Sequence, residues 1–345
     1  MKKKNVSRRN FMKTGLGIVA GSAVLAGEGL AERHKKGVVL NPSMGHGHNS
    51  KGHSTPHSLN KSVTYKDGEM NPMKFLTAFD YGKVTRLPGG EVQREYRIVA
   101  QEKEIEVAPG VKYPAWTYNG YVPGPTIRCT EGDRLKINFI NASSMPHTIH
   151  FHGIHPANMD GVFEIVQPGE SFIYDFTAEP FGLFLYHCHV MPLKKHVEKG
   201  LYGTLIIDPK TPRPPAKELV MVMNGFDTDF DGENEFYTVN GVANYYSENP
   251  INIKLNELVR IYLVNMTEFD LLNSFHLHAN MFRLYRTGTN LNQYEYTDTV
   301  MLCQGERCVM EFSFKYPGKF MFHAHQSEFA ELGWMGFFNV LPEVA

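Results

Sequence analysis

The sequence predicts an all-β protein containing two copies of one fold, and three observations carry that expectation. Short runs such as "RLKINFINAS", "ESFIYDFTA", "LVRIYLVN" and "CVMEFSFKY" are rich in β-branched and aromatic residues and alternate with Gly- and Pro-containing turns, the pattern of strands joined by tight connections. The segment "HTIHFHG" followed by "QPGESFIYDFTAEPFGLFLYHCH" has a degenerate echo in "NSFHLHAN" followed by "CQGERCVMEFSFKYPGKFMFHAH". Glu170 lies 17 residues before His187 and Glu306 lies 17 residues before His323, and equal spacing inside two similar segments implies an internal repeat. Between the copies, "DPKTPRPPAKE" carries Pro212, Pro214 and Pro215 and reads as a short, stiff linker.

With 345 residues, 42% of them hydrophobic, the chain is long enough for two domains with full cores. Expected segments are a signal over residues 1–31, a tail and lead-in over 32–85, domain 1 over 86–210, a linker over 211–216 and domain 2 over 217–345. A formal net charge of -1 with no basic stripe gives no reason to expect a nucleic-acid partner.

The N-terminus reads as an address. Ser7-Arg8-Arg9-Asn10-Phe11-Met12-Lys13 before "TGLGIVAGSAVLAG" is a twin-arginine motif followed by a weakly hydrophobic Gly/Ala-rich run, with cleavage expected after Ala31. The run is well short of the roughly 20 residues that a spanning helix needs, so export without a lasting membrane anchor, to the periplasm or beyond, is expected. His46, His48, His53 and His57 follow in a polar, irregular tail that reads either as solvated chain or as a loose copper-capturing segment.

Histidine placement carries the chemistry. From 16 histidines a random chain of this length would show about 0.7 His-X-His pairs. This chain has five, at 46/48, 150/152, 187/189, 276/278 and 323/325, and the last four fall at equivalent places in the two repeats. Residues i and i+2 of a strand share a face, so each pair is a clamp for a metal that favours imidazole. A second site is expected in the first repeat alone: His147, Cys188 and His196 form the His2Cys set of a blue-copper centre, with Leu201 as a non-ligating axial neighbour and a correspondingly high potential. Met191 is the alternative axial donor, disfavoured because it precedes His196. In the second repeat the same offsets place Asn273, Ala324 and Leu332 where His147, Cys188 and His196 stand, so the blue-copper set is lost while both clamps remain.

Over roughly residues 90 to 342, these motifs make the chain resemble two-domain multicopper oxidases of the laccase-like kind, with the blue copper in the first of two domains. The resemblance implies two cupredoxin-like Greek-key β-sandwiches. It also implies four coppers per chain: one blue type 1, one type 2 and two type 3. His150, His152, His187, His189, His276, His278, His323 and His325 would hold the three-copper cluster. One-electron oxidation of a phenolic, aromatic amine or metal-ion donor would be coupled to reduction of O2 to water, with electrons crossing from Cys188 through its covalent neighbours His187 and His189. Asp160, in "MDGV", resembles the family's proton-delivering acid, though it reads equally as a turn residue before Gly161; Glu328, in "HAHQSEFAELG", is the other candidate acid. Copper nitrite reductases are similar in length, layout and trimeric state, and in "AELGWMGFFNV". They keep an aspartate and a non-ligand where this chain has His150 and His189, which favours dioxygen as acceptor. A non-catalytic copper-binding or electron-transfer protein is the third alternative. Four clamps that must meet across two domains joined by one short linker suggest a head-to-tail ring with clusters between subunits, and the resemblance suggests a homotrimer.

The remaining residues take plainer readings. Cys303 and Cys308 are either a local disulfide or free thiols, and Cys129 is expected in a core. His155 reads as a loop histidine or as lining for the substrate approach; Met145, Met159 and Met191 either pack near the blue-copper segments or meet a cuprous substrate.

Overall fold

A computed structural model describes residues 63–66 and 69–342; the twin-arginine segment and the tail histidines lie outside the described residues. The described chain is nearly all β. Two five-stranded sheets draw all their strands from residues 79–208, and a six-stranded and a five-stranded sheet draw all theirs from residues 217–341. Sequence-distant strands lie side by side in parallel, as in Val92–Ala108 beside Arg134–Asn141 and Lys217–Phe226 beside Val259–Asn265, so the chain crosses between sheets instead of meandering within one. The repeat is visible in register. His150 pairs with His187 in the first half, and His276 pairs with His323 in the second.

Three apolar cores hold these sheets. Each half has its own, centred on Phe139, Phe151, Tyr174 and Tyr186 in the first and on Phe275, Phe322 and Trp334 in the second. A third core joins Val107, Tyr113, Leu183 and Leu185 of the first half to Val220, Val222, Phe226 and Tyr262 of the second. Strand alternation feeds two cores at once. In Gly182–His187, Phe184 and Tyr186 point into the first-half core while Leu183 and Leu185 point into the shared one, which is why the strand is an unbroken apolar run.

One sequence expectation changes here, and one alternative left open is settled. The end of the 32–85 lead-in, expected to be irregular, forms a helical turn at Pro72–Phe75 and short strands at Phe79–Asp80 and Lys83–Arg86 that join the first-half sheets. These elements are too short for a periodic signal. Cys303 and Cys308 are both free, with Cys303 exposed and Cys308 buried: Cys303 pairs with Leu272 in one sheet and Cys308 with Leu263 in another. Cys129 is buried in the first-half core, as expected.

Beside the Pro-rich segment, a buried ion network spans both halves. Arg128 makes bonds of 2.8 and 2.9 Å to Asp208 and of 2.6 and 3.1 Å to Glu218, Arg260 reaches Glu218 at 3.0 Å and Glu311 at 2.7 Å, and Arg213 reaches Glu311 at 2.9 Å. Burial alone would raise the Glu218 carboxyl, yet hydrogen bonds from Arg128 and Tyr262 hold it down at about 2. Substituting Glu218→Gln takes one carboxylate from two buried guanidinium groups while leaving Arg128 its Asp208 and Arg260 its Glu311, so it should remove about 2 kcal/mol of stability, the scale of a hydrogen bond to a charged group, read as a lower unfolding midpoint. Because the folded carboxyl titrates below its ordinary value, the contribution is present above that value and lost as pH falls toward about 2.

Candidate metal centres

The strand that ends at His187 presents two ligand sets on opposite sides. Cys188 continues the row of Phe184 and Tyr186 into the first-half core, where His147 and His196 meet it. The Cys188 Sγ lies 3.2 Å from His196 Nδ1 and 3.8 Å from His147 Nδ1, and the two Nδ1 atoms are 3.2 Å apart. Two nitrogens aimed at one sulfur, all fully buried, form a donor set that suits a thiolate-bound metal better than any hydrogen-bond scheme. Thr148 N–H donates to Cys188 Sγ at 3.4 Å. Tyr118 Oη donates to the Thr148 carbonyl at 2.6 Å, and Tyr174 Oη accepts from Ile149 N at 2.9 Å, so the segment carrying His147 is pinned from two sides. His196 sits on the short helix Leu193–Glu198. Leu201 is buried in the same core as Cys188 and its carbonyl accepts from Cys188 N at 2.9 Å, whereas Met191 is 76% exposed.

On the other side of the strand stand four imidazoles, and their geometry is duplicated in the second half. His150 and His152 are 5.1 Å apart between ring centres at 57°, and His276 and His278 are 4.9 Å apart at 57°. His187 and His189 stack at 6.0 Å and 27°, and His323 and His325 at 6.2 Å and 29°. The diagonal contacts match as well, with His150 to His189 at 5.3 Å and His276 to His325 at 5.4 Å. The Nε2 atoms of His152 and His187 approach to 3.3 Å, and those of His278 and His323 to 2.8 Å. Among the described residues, no ring contact joins one quartet to the other.

Backbone carbonyls set which nitrogen is free. The Nδ1–H groups of His187 and His323 donate to the carbonyls of Cys188 at 3.0 Å and Ala324 at 2.6 Å, and His150 donates to the Asp160 carbonyl at 2.8 Å. His276 Nδ1 lies 2.8 Å from Thr299 Oγ1 and 3.1 Å from the Asp298 carbonyl. This is the outer-shell arrangement that orients a metal-ligating imidazole. Asp160 Oδ1 also lies 3.2 Å from His150 Nδ1 and 3.6 Å from His155 Nε2, so Asp160 is more than a turn residue. Gly161 permits that approach: with φ at +74°, a Cβ there would stand 1.9 Å from the Ile149 carbonyl oxygen. Asp298 is its counterpart, missed in the sequence because it follows His276 by 22 residues where Asp160 follows His150 by 10. His155 lies against Phe176, with Nε2–H donating to the Phe151 carbonyl at 2.8 Å. Met159 Sδ accepts from Asp175 N, Met145 is exposed, and Glu328 is an exposed residue on the short helix after His325.

Where the second half lacks the triad, it is packed by other means. Asn273 is buried, accepts from Trp334 Nε1 at 3.0 Å and donates to Thr267 Oγ1 at 2.9 Å. Ala324 N donates to the Trp334 carbonyl as Cys188 N does to that of Leu201, and Trp334 N donates to the Phe329 carbonyl as Leu201 N does to that of His196. The structural counterpart of His196 is therefore Phe329 and not Leu332, because the first-half loop is longer.

Burial sets the ionisation. It lowers His147, with a further push from His196, to about 4; it brings His196 and His187 to about 4 and His152 to about 3. These imidazoles are neutral and ligand-ready at neutral pH. Burial pushes the Cys188 thiol up, so metal binding must displace its proton.

Two family models, each described as multicopper oxidase, match residues 99–212 and 212–344. A copper-containing nitrite reductase of Neisseria gonorrhoeae is 30% identical over 65% of this chain, which spans 62% of that relative's length. A solved multicopper oxidase superposes with a TM-score of 0.77 at 54% identity, covering 79% of this chain and 97% of that one. A copper nitrite reductase from Nitrosomonas europaea superposes at 0.67 with 29% identity, covering 72% and 94%.

In the copper-free protein the unfolded chain binds more protons than the folded one between the ordinary histidine value of 6.5 and about 4, so stability should fall as pH drops through that window. Thermal melts across it check this, and His152→Gln, which removes the group lowered furthest, should flatten the slope; an unchanged slope would contradict it.

Proposed function

The chain belongs to the multicopper oxidase family, and from that premise we propose that it is a laccase-like oxidase, taking single electrons from a phenolic, aromatic amine or metal-ion donor and reducing O2 to water. The observation that carries this reading is the pair of matched histidine quartets beside a single cysteine triad. His147, Cys188 and His196 would hold one blue copper, with Leu201 as its aliphatic axial neighbour. The eight histidines of the two quartets would hold three more. Bound copper would supply the one-electron redox chemistry and the binding of dioxygen.

The chain's own residues divide the remaining tasks. Cys188 is joined by single peptide bonds to His187 and His189, so a short covalent path links the two ligand sets. Leu201 withholds a donor from the triad, which favours a high potential. The carbonyls of Cys188, Ala324 and Asp160 keep imidazole Nε2 atoms free for ligation. Asp160 Oδ1, next to His150 and His155, is the proposed proton-delivering group, and Glu328, three residues past His325, the second. The two domains are placed at residues 86–210 and 217–345, joined through 211–216. Because each quartet closes on itself within one chain, we assign the complete cluster to the junction of neighbouring subunits in a homotrimer, exported by the twin-arginine route.

Nitrite reduction is the competing reading, supported by relatives of that name. It calls for fewer imidazoles than two full quartets offer, since such enzymes keep an aspartate and a non-ligand where this chain has His150 and His189. Oxygen uptake with hydroquinone, set against nitric oxide formation from nitrite with the same reductant, separates the two. The oxidase should consume oxygen and leave nitrite untouched. In Cys188→Ser, the blue absorption and oxygen uptake should both vanish while copper on the quartets remains; uptake that survives would refute the covalent path. Dissociating the subunits should release quartet copper while retaining the blue copper, and a monomer with four coppers and full turnover would refute the shared cluster.

A further inference from the structure

We infer that Trp116 is the port through which electrons reach the Cys188 site, an inference that rests on the oxidase reading above. His147 and His196 are 0% and 2% exposed, and Cys188 is likewise buried. No donor can therefore touch a ligand of that site. Trp116 packs edge-on against both imidazoles, with ring centres 5.3 Å from His147 and 4.9 Å from His196, and it is itself only part-buried. Among the described residues it is the one aromatic ring, apart from the two imidazoles themselves, that contacts both ligands.

The indole is also fixed relative to the site it serves. Its backbone N–H donates to the Lys199 carbonyl at 2.9 Å, and Lys199 caps the helix that carries His196, so the ring and the ligand belong to one packed unit. Trp116 lies on the strand Val111–Tyr118, whose Tyr118 anchors the Thr148 carbonyl beside His147. Both flanks of the port are thereby held by the elements that hold the metal ligands.

Chemistry at the surface narrows the donor. An indole offers a stacking face and no metal ligand, which suits a flat aromatic reductant. The Lys195 ammonium lies 5.4 Å from the ring centre and is exposed, so it pairs with negative charge on that reductant, as on a phenolate. The donor loses one electron, which passes through the indole to the copper held by His147, Cys188 and His196, taking Cu(II) to Cu(I). Trp116 ends unchanged, and any proton released by the oxidised phenol goes to water.

The test mixes copper-loaded protein with hydroquinone under anaerobic conditions and follows loss of the blue absorption. Trp116→Leu should keep the blue spectrum and copper content but bleach about tenfold more slowly or worse, read as a second-order rate for free enzyme and donor, with Trp116→Phe between the two. Bleaching of an intact blue Trp116→Leu site at the parent rate would overturn the port and leave the oxidase reading standing; a parent protein without any blue band would overturn both. A second readout needs no turnover and no loaded variant. The chain has two tryptophans, and Trp334 is fully buried. Emission of the copper-free parent should be quenched by acrylamide and by the first equivalent of copper, and Trp116→Phe should lose that sensitive component. Parent emission indifferent to both quenchers would overturn the inference.

Discussion

The strand Gly182–His187 and the cysteine that follows it impose the constraint from which the rest of the site derives. Alternation along a strand sends neighbouring side chains to opposite faces. Phe184, Tyr186 and Cys188 therefore enter the first-half core, while Leu183 and Leu185 enter the core shared with the second half and His187 continues that row out to His152. A slip by one residue would exchange the two rows between differently packed cores and turn Cys188 away from His147 and His196. The sulfur and the imidazoles are thus held on opposite sides of one backbone by the packing of this strand and by the hydrogen bonds at its end. The shared core and the ion network around Arg128, Glu218 and Arg260 then fasten the second half to that same strand.

Duplication followed by divergence accounts for the asymmetry of the two halves. The quartets are nearly superimposable in their ring geometry, down to carbonyl acceptors for His187 and His323. Only the inner side of the junction differs. The first half keeps a thiol and two imidazoles there, whereas the second fills the space with Ala324, Asn273 and the Trp334 indole. A half without the triad must fill the same buried volume with packing and hydrogen bonds, and the Asn273–Trp334 pair does so.

Much of this was legible in the sequence because it is local and periodic. The His-X-His pairs report a strand face directly, and the matched spacing of Glu170 to His187 and Glu306 to His323 exposes the repeat. Long-range features were not legible. Asp298 occupies the place of Asp160 through a longer connection, and Phe329 replaces His196 because one loop is longer, so a constant offset misses both. Burial of His147 and His196 depends on Trp116, which arrives from a strand about thirty residues upstream of the first of them and carries no motif. The core between the halves was hidden too, since a strand buried on both faces reads as a plain apolar run.

The central claim is that one backbone segment joins a thiolate copper site to a cluster shared by two quartets. Anomalous scattering at the copper edge from crystals of the copper-loaded protein tests it most directly. The account predicts one peak within bonding distance of His147 Nδ1, Cys188 Sγ and His196 Nδ1, and a group of three where the quartets of neighbouring subunits converge. A lone copper on one quartet, or no copper at Cys188, would contradict it.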